Sequence, residues 1–221
     1  MRAWVANDRI VDNQTDLKAS VDTFGIRHNL VTGAAFTTER NTRVARTAPN
    51  SPTTLLNPNP DDVYPGVITD NPNVGKITGN TQAVWTFDTA KFGQHWEAMG
   101  GVRWERFDVN GVSTVPAPVV QNVNYPSLRA GLIYKPVQTG NIYASYGNSV
   151  SPSLEGLSYG TANTSIPPEK THTTEVGTKW EVAGTRLLLS GALFQVKKDN
   201  ARTPGLLPTD PPARAGTRWE R

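Results

Sequence analysis

Polar and apolar residues alternate strictly through residues 175–182, which read EVGTKWEV. Glu175, Lys179 and Glu181 occupy one set of alternate positions, and the indole of Trp180 lies in the other set. A repeat of two residues places successive side chains on opposite faces of a β-strand, and it does not fit the 3.6-residue repeat of an α-helix. The stretch is therefore predicted to be a strand with one wet face and one apolar face. That apolar face must be covered either by a protein core or by lipid.

The same alternation recurs along the chain and predicts an all-β fold. The sequence contains neither an amphipathic helix nor an apolar run of about 18 residues, the length that a transmembrane helix needs. Because turn residues join consecutive segments, we expect the strands to form an antiparallel meander. The predicted strands, about nine in all, cover residues 2–9, 15–24, 27–41, 81–90, 95–107, 127–135, 141–149, 173–182 and 186–198.

The connections between these strands alternate between short turns and long loops. In a meander every second connection lies at the same end, so the short turns are predicted at one end and the long loops at the other. This is the layout of an outer-membrane barrel. A first hairpin, predicted around residues 11–13, is an exception to the alternation because its connection is short. The short turns are 24–26, 91–94, 136–140 and 183–185, and the long loops, rich in Pro, Asn, Gly, Ser and Thr, are 42–80, 108–126 and 150–172.

The composition argues against several kinds of site. The chain has no cysteine, which excludes disulfides and thiolate chemistry. Its net charge is only +3 and it has no run of basic residues, so we do not predict a nucleic-acid partner. His28, His95 and His172 lack the spacing of metal ligands, and no phosphate-binding loop or nucleophile elbow occurs. We therefore predict no catalytic residue and no metal site, and we expect His28 and His95 to be solvated residues at short turns.

Four stretches of the chain resemble segments of one known family of barrels. They read TDLKASVDTFGIRHNLVTGAAFTTE (15–39), MGGVRWERFDV (99–109), SLRAGLIYKPVQTGNIYASYGNSVSPS (127–153) and IPPEKTHTTEVGTKWEVAGTRLLLSGALFQVKKDNART (166–203). Together they are similar to consecutive barrel segments of TonB-dependent outer-membrane receptors. Within that family they most resemble the siderophore receptors. The likeness runs from about residue 10 to about residue 204. On this basis residues 1–204 are assigned to the barrel, and residues 205–221 form an atypical tail.

The resemblance implies a 22-stranded barrel in the outer membrane of a Gram-negative bacterium, plugged by an N-terminal domain. Receptors of this kind bind ferric siderophores at the outer face and import them with energy from the TonB complex. The implied partners are therefore outer-membrane lipid, a siderophore and, through N-terminal parts absent from this chain, the TonB complex. The ferric siderophore is the transported ligand and not a bound cofactor, and the protein is expected to be a transporter and not an enzyme.

Two sets of residues are candidates for functional roles in such a barrel. Charged residues on the wet faces of the strands would face the lumen, where they can pair across strands or contact a plug. Arginine, tyrosine and histidine in the long loops would suit a ligand that is anionic and carries aromatic or amide groups. The lumen candidates are Arg103, Glu105, Glu175, Lys179 and Glu181. The loop candidates are Arg43, Arg46, Tyr64, Tyr159 and His172.

Two other classes of protein share parts of this pattern. A soluble or surface-exposed β-sandwich that binds or adheres would bury Trp85, Trp104 and Trp180, whereas a membrane barrel would turn all three to lipid. A passive porin would have the same barrel wall but neither a plug nor coupling to TonB. The side on which the tryptophans lie separates the sandwich from the barrel.

The resemblance further predicts that the chain is an internal piece of a receptor. No signal peptide, TonB box or plug precedes the first predicted strand, and no terminal aromatic insertion signal is evident. At about 25 residues for each strand and its connection, a 22-stranded barrel would need about 550 residues.

We therefore expect that the isolated chain does not insert into membranes as a stable monomer. Lipid cannot satisfy the unpaired N–H and C=O groups at the edges of an unclosed sheet. The test is to refold the isolated chain into detergent and compare heated with unheated samples on a gel. Heat-modifiable migration would contradict the expectation.

Overall fold

One antiparallel sheet contains most of the chain. The computed structural model describes residues 2–48, 56, 61, 63, 66–112, 118–152, 167–184, 186–203 and 213–214. Eight strands pair in sequence order, each with its neighbours in the chain. They are β1 (Arg2–Thr23), β2 (Ile26–Thr47), β3 (Thr69–Phe92), β4 (Trp96–Val112), β5 (Pro118–Val137), β6 (Gly140–Ser151), β7 (Glu169–Val182) and β8 (Leu187–Asp199). A separate two-residue pair joins β9 (Arg202–Thr203) to β10 (Ala213–Arg214).

The predicted all-β meander is confirmed, but the short hairpin around residues 11–13 is wrong. The segments predicted as 2–9 and 15–24 are one continuous strand, β1, which pairs with β2 along its whole length. Asp12 and Asn13 favour turns in isolation, yet here they lie opposite Thr37 and Phe36 in the ladder. The hydroxyl of Thr37 also donates to the carboxylate of Asp12. The pairing with β2 therefore outweighs the local turn preference.

The strands extend far into the segments predicted as long loops. β2 continues to Thr47 and β3 begins at Thr69, so much of the predicted loop 42–80 is strand. In the same way, only residues 113–117 separate β4 from β5. β1 to β5 are 17 to 24 residues long. A membrane crossing takes about 9–11 residues. These strands are therefore about twice as long as a crossing needs.

The register divides the sheet into two faces of opposite character. Residues directly opposite each other in an antiparallel ladder share a face. The pairing Glu175↔Ser145↔Gly131↔Met99 places the alternate positions of β4 and β7 in one common surface. We call this surface the polar face. It carries Glu97, Arg103, Glu105, Arg129, Glu175, Lys179 and Glu181.

The opposite surface, the apolar face, carries large hydrophobic residues that remain exposed. Leu132 is 47% exposed and Val176 is 52% exposed. The polar face, in contrast, contains nearly all the buried side chains of the sheet, and most of these are apolar, such as Ile77, Trp85 and Val109. A sheet with large apolar side chains exposed across the other face differs from a soluble sandwich, which buries the apolar faces of its sheets. The apolar face includes Trp96, Trp104, Leu128, Leu132, Tyr134, Ile142, Val176, Trp180, Leu189 and Leu193.

The three tryptophans do not share one face, contrary to the prediction. Trp104 and Trp180 lie on the apolar face as a barrel requires, and Trp104 is 40% exposed. Trp85 pairs with Arg103 and therefore lies on the polar face, where it is only 8% exposed. Its neighbour Val84 lies on the apolar face and is 50% exposed. Because both positions are apolar, the local sequence does not reveal which one faces outward.

Glycines that lie opposite aromatic rings fix the register of the sheet. A Cβ atom at Gly101 would stand 1.9 Å from Cδ1 of Phe87, its partner in the ladder. A Cβ at Gly33 would stand 2.6 Å from the ring of Trp85. The rings lie over bare backbone, so a shift of one residue would drive them into side chains. Within the described residues, such pairs are Gly33–Trp85, Gly101–Phe87, Gly177–Tyr143 and, on the apolar face, Gly140–Trp180.

Gly101→Ala is expected to destabilise the barrel by about 1–3 kcal/mol, because the added methyl group forces the ring of Phe87 to move. The neighbouring Gly100→Ala is the matched control, since a Cβ there meets no atom within 4 Å. The measurement is urea unfolding in detergent of a complete barrel that contains these strands. Equal midpoints for the two variants would refute the argument. In a barrel that already carries Phe87→Ala, Gly101→Ala should cause much less destabilisation, because the ring that the added methyl group displaces is no longer there.

Candidate functional site

The connections of the sheet alternate between its two ends, but they segregate by length less completely than predicted, because residues 113–117 form a connection of only five residues where the long loop 108–126 was expected. Residues 24–25, 93–95, 138–139 and 183–186 are short turns at one end. Residues 48–68, 113–117 and 152–168 connect strands at the other end. In outer-membrane barrels the short turns face the periplasm and the long loops face the cell exterior. The polar face lies between these two ends and carries the predicted lumen residues.

Near the short turns, one carboxylate joins three strands of the polar face. Glu97 of β4 lies 2.7 Å from the ammonium of Lys135 on β5 and 3.8 Å from that of Lys91 on β3. The side chain of Glu97 is only 17% exposed, so the two lysines balance a charge that is largely withdrawn from water. The group ties β3, β4 and β5 together and carries a net charge of about +1, from two ammonium groups and one carboxylate.

Farther up β4, Arg103 and Glu105 form the next polar contact. Their side chains are joined by an N–O distance of 2.8 Å. The guanidinium of Arg103 also lies over the indole of Trp85, 4.8 Å from its centroid. Arginine stacks well on tryptophan while it keeps its in-plane donors for a carboxylate. Both predicted lumen residues on β4 thus lie together on the polar face and pair with each other.

The predicted residues Glu175, Lys179 and Glu181 lie on the same face on β7. The hydroxyl of Tyr143 donates to the carboxylate of Glu175, and the ammonium of Lys179 is 5.7 Å from the centroid of the Tyr143 ring. Tyr143 was not recognised as a site residue from the sequence. Its position opposite Gly177 on the charged side of the pattern is the signal that could have revealed it.

A recess of about 390 Å³ lies among β5, β6 and β7, toward the long-loop end. Its lining combines hydroxyl groups, one guanidinium and one carboxylate with apolar surface from residues such as Met99 and Ala130. Such a lining can form several hydrogen bonds without a strong net charge. The recess is therefore suited to an occupant that has both polar and apolar groups. On the polar face it is lined by Arg129, Ser145, Gly147, Ser149, Thr171 and Glu175.

Of the predicted ligand residues in the loops, Arg43 and Arg46 lie on opposite faces of β2. Arg43 is opposite Ala6 on the polar face, with its guanidinium 4.1 Å from the ring centroid of Trp4. Arg46 lies on the other face and pairs with Asp70 at 2.8 Å. Only Arg43 therefore points to the side that carries the lumen candidates.

His172 lies on β7 and not in a loop, and it belongs to the apolar face. Its ring stacks on Tyr146, whose hydroxyl is 3.0 Å from its Nδ1, and its Nε2 is 3.9 Å from Asp199. The structure does not bring it together with Arg43. Tyr64 and Tyr159 lie outside the described residues.

His28 was expected to be a solvated residue at a turn, and this is wrong. It lies within β2 on the apolar face, with Nδ1 2.6 Å from Oδ2 of Asp88 on β3. Their side chains are 27% and 32% exposed. The other oxygen of Asp88 is buried and finds no partner among the described residues. His95, in contrast, is exposed at the β3–β4 turn as predicted, and its Nδ1 is 2.7 Å from the carbonyl of Lys135.

Within the described residues, no three His, Cys, Asp or Glu side chains come close enough to hold a metal ion. These residues also form no helix of the length and apolarity needed to cross a membrane. The chemistry that the polar face does provide is hydrogen bonding and balanced charge over a long surface. That suits the passage or docking of a polar molecule.

Comparison with known proteins gives the same assignment over nearly the whole chain. A family model described as "TonB dependent receptor-like, beta-barrel" matches residues 2–219. The probable TonB-dependent receptor BfrD of Bordetella pertussis is 31% identical over 229 residues, which cover 90% of this chain and 31% of BfrD. The catecholate siderophore receptor Fiu of Escherichia coli K12 is 27% identical over 225 residues, or 88% of this chain and 30% of Fiu. The chain thus spans about a third of the length of these relatives.

Solved structures share the arrangement of the strands. The closed form of the ferric-catecholate import receptor Fiu from E. coli K12 superposes with a TM-score of 0.77 at 27% identity, over 97% of this chain and 34% of that one. The siderophore receptor PiuA from Acinetobacter baumannii gives a TM-score of 0.78 at 23% identity, over 90% of this chain and 33% of PiuA.

His28→Leu is expected to destabilise a complete barrel by about 1–3 kcal/mol, because it leaves the Asp88 carboxylate unpaired on the apolar face. The double variant His28→Leu/Asp88→Leu should recover most of that loss, since it removes both polar groups. Urea unfolding in detergent measures both. A double variant as unstable as His28→Leu alone would show that the pair has no such role.

Proposed function

The chain belongs to the TonB-dependent receptor β-barrel family, and we propose that its eight-stranded sheet is part of the wall of an outer-membrane transporter that imports ferric siderophores. The observation that carries the proposal is the two-faced sheet, with exposed large hydrophobic residues on one face and paired charged residues on the other. In this arrangement the apolar face contacts lipid and the polar face lines the lumen. The lumen residues are Arg103, Glu105, Glu175, Lys179 and Glu181.

The dimensions of the apolar face support this placement. On β2, Ile26 and Phe36 lie on the apolar face ten residues apart. At about 3.3 Å per residue and a tilt of about 40°, they are separated by about 25 Å along the membrane normal, which equals the usual height of the apolar band. Trp96 and Trp104 on β4 mark the two borders in the same way, about 20 Å apart. The rest of each long strand then projects beyond the outer surface.

The ligand we propose is a ferric siderophore, and the catecholate class is the first to test because the relative Fiu is named for it. Such complexes are often anionic, so an arginine on the lumen side is a suitable contact. Arg43 meets this requirement beyond the outer border of the apolar band. Trp4 beneath its guanidinium adds an aromatic surface. Tyr64 and Tyr159 remain candidate contacts in the long loops, whereas Arg46 and His172 are weaker candidates because of the face on which they lie.

Import would draw its energy from the TonB complex through a plug and N-terminal segment supplied by other parts of the receptor. The contribution of this chain would be a wall whose charges are balanced in pairs, such as Arg103 with Glu105 and Glu97 with Lys135. A wall of this kind holds water and a plug without trapping an anionic ligand on an unpaired cation. The proposed role is transport, with no enzymatic step, no resident cofactor and no nucleic-acid partner.

Arg43→Gln in a complete receptor is expected to weaken the binding of ferric catecholate about 10- to 100-fold, the loss expected for one charge-assisted contact. Arg46→Gln is the matched control, because it removes the same charge three residues away on the opposite face. The measurement is equilibrium binding by the purified receptor, followed by growth on the ferric siderophore under iron limitation. Equal affinities for both variants and the wild type would remove Arg43 from the site. Failure of the wild type to bind or import any ferric siderophore would overturn the proposed function.

A further inference from the structure

Three cations form a cluster on the outer surface, above the apolar band. Arg9 of β1 lies directly opposite Arg40 of β2 in the ladder. Arg40 is opposite Thr78 of β3, and Lys76 is two residues farther along the same face. Directly opposed residues have Cβ atoms about 5 Å apart, and diagonal neighbours are about 7–8 Å apart. All three side chains are exposed. We call Arg9, Arg40 and Lys76 the outer cation cluster.

The cluster lacks the acidic partners that other cations on this face have. Arg106 pairs with Asp108 at 2.7 Å, and Arg46 pairs with Asp70 at 2.8 Å. Within the described part of the chain, no member of the cluster has an ion pair or a side-chain hydrogen bond. Like charges directly opposite each other in a sheet are destabilising. An arrangement that brings three cations together without acidic partners is therefore favourable for the binding of an anion from outside the chain.

The acidic residues nearest in sequence cannot supply that charge. Asp8 precedes Arg9 and Glu39 precedes Arg40, so the two-residue repeat turns both carboxylates to the polar face. Asp8 is moreover engaged by the side-chain amide of Asn41. The cluster keeps a local charge of about +3 on the surface that faces the membrane.

The position of the cluster identifies the kind of anion. Phe36 marks the outer border of the apolar band on β2, and Arg40 lies four residues beyond it on the same face. Four residues span about 13 Å along a strand, or about 10 Å along the membrane normal at a tilt of about 40°. This is the level of the lipid head groups, and long arginine and lysine side chains can reach down toward the interface.

We propose that Arg9, Arg40 and Lys76 bind the phosphate group of an anionic lipid in the outer leaflet. The two guanidinium groups match a phosphate with paired donors, and the ammonium adds a third positive charge. A siderophore in the lumen cannot be the occupant, because the cluster faces away from the lumen. The proposal rests on the outer-membrane placement of the barrel but not on which ligand is imported. Lipid binding and siderophore import can therefore fail separately.

The test uses the complete receptor, delipidated in detergent, with lipid A as the probe. Binding is measured by native mass spectrometry for the wild type and for the triple variant Arg9→Gln/Arg40→Gln/Lys76→Gln. Each basic residue beside an anionic surface contributes about a fivefold change in affinity, so the triple variant should bind roughly a hundredfold more weakly. Dephosphorylated lipid A should bind the wild type as weakly as phosphorylated lipid A binds the triple variant.

The matched control is Arg46→Gln/Arg106→Gln/Lys197→Gln, which removes three cations from the same face that each have an acidic partner. It should change the affinity less than about fivefold. Equal affinity for the triple variant and the wild type would overturn the proposal, and so would an equal loss in the control. Inorganic phosphate that displaces lipid A at matched concentration would show a free-anion site instead. Should the triple variant not fold, Arg40→Gln alone must lower the affinity about fivefold, with ferric siderophore import unchanged.

Discussion

The pairing of backbone N–H and C=O groups across the sheet is the constraint on which the rest of this structure depends. Lipid offers these groups no partners, so a membrane wall built from strands must pair them along the full width of the apolar band. β1 to β8 do so in sequence order with few register shifts. Once the register is set, the face of every side chain is set as well. The division into an apolar and a polar face is thus a consequence of the backbone pairing.

Side chains act mainly by making one register better than the others. The ring of Phe87 covers Gly101, and the ring of Trp85 covers Gly33. In each case an aromatic side chain on one strand lies over a glycine, which has no side chain, on the neighbouring strand. These contacts add packing on a face that has no second sheet against it. They also account for the low exposure of Trp85 on the polar face. The polar face gains its order from such pairs and from ion pairs such as Arg103 with Glu105.

The sequence predicts the face of a residue well where the two sides of a strand differ in chemistry. Glu175 and Arg103 are correctly assigned for this reason. It fails at Val84 and Trp85, where both sides are apolar and only the pairing with β4 separates them. It also fails at His28, because a position near a turn suggested solvent while its partner Asp88 is 60 residues away in the chain. Such errors arise from contacts between strands, which no local pattern contains.

The arginines of β2 show how a period of two assigns function within a short segment. Arg40, Arg43 and Arg46 are spaced by three residues, an odd number, so consecutive arginines lie on opposite faces. Arg40 lies on the apolar face in the outer cation cluster, Arg43 lies on the polar face over Trp4, and Arg46 lies on the apolar face against Asp70. In the proposed transporter, Arg40 would meet lipid head groups and Arg43 would meet the ligand, whereas Arg46 is paired with Asp70. The insertion of a single residue before Arg40 would exchange these roles unless a bulge absorbed it, which is why the register of β2 matters for function and not only for stability.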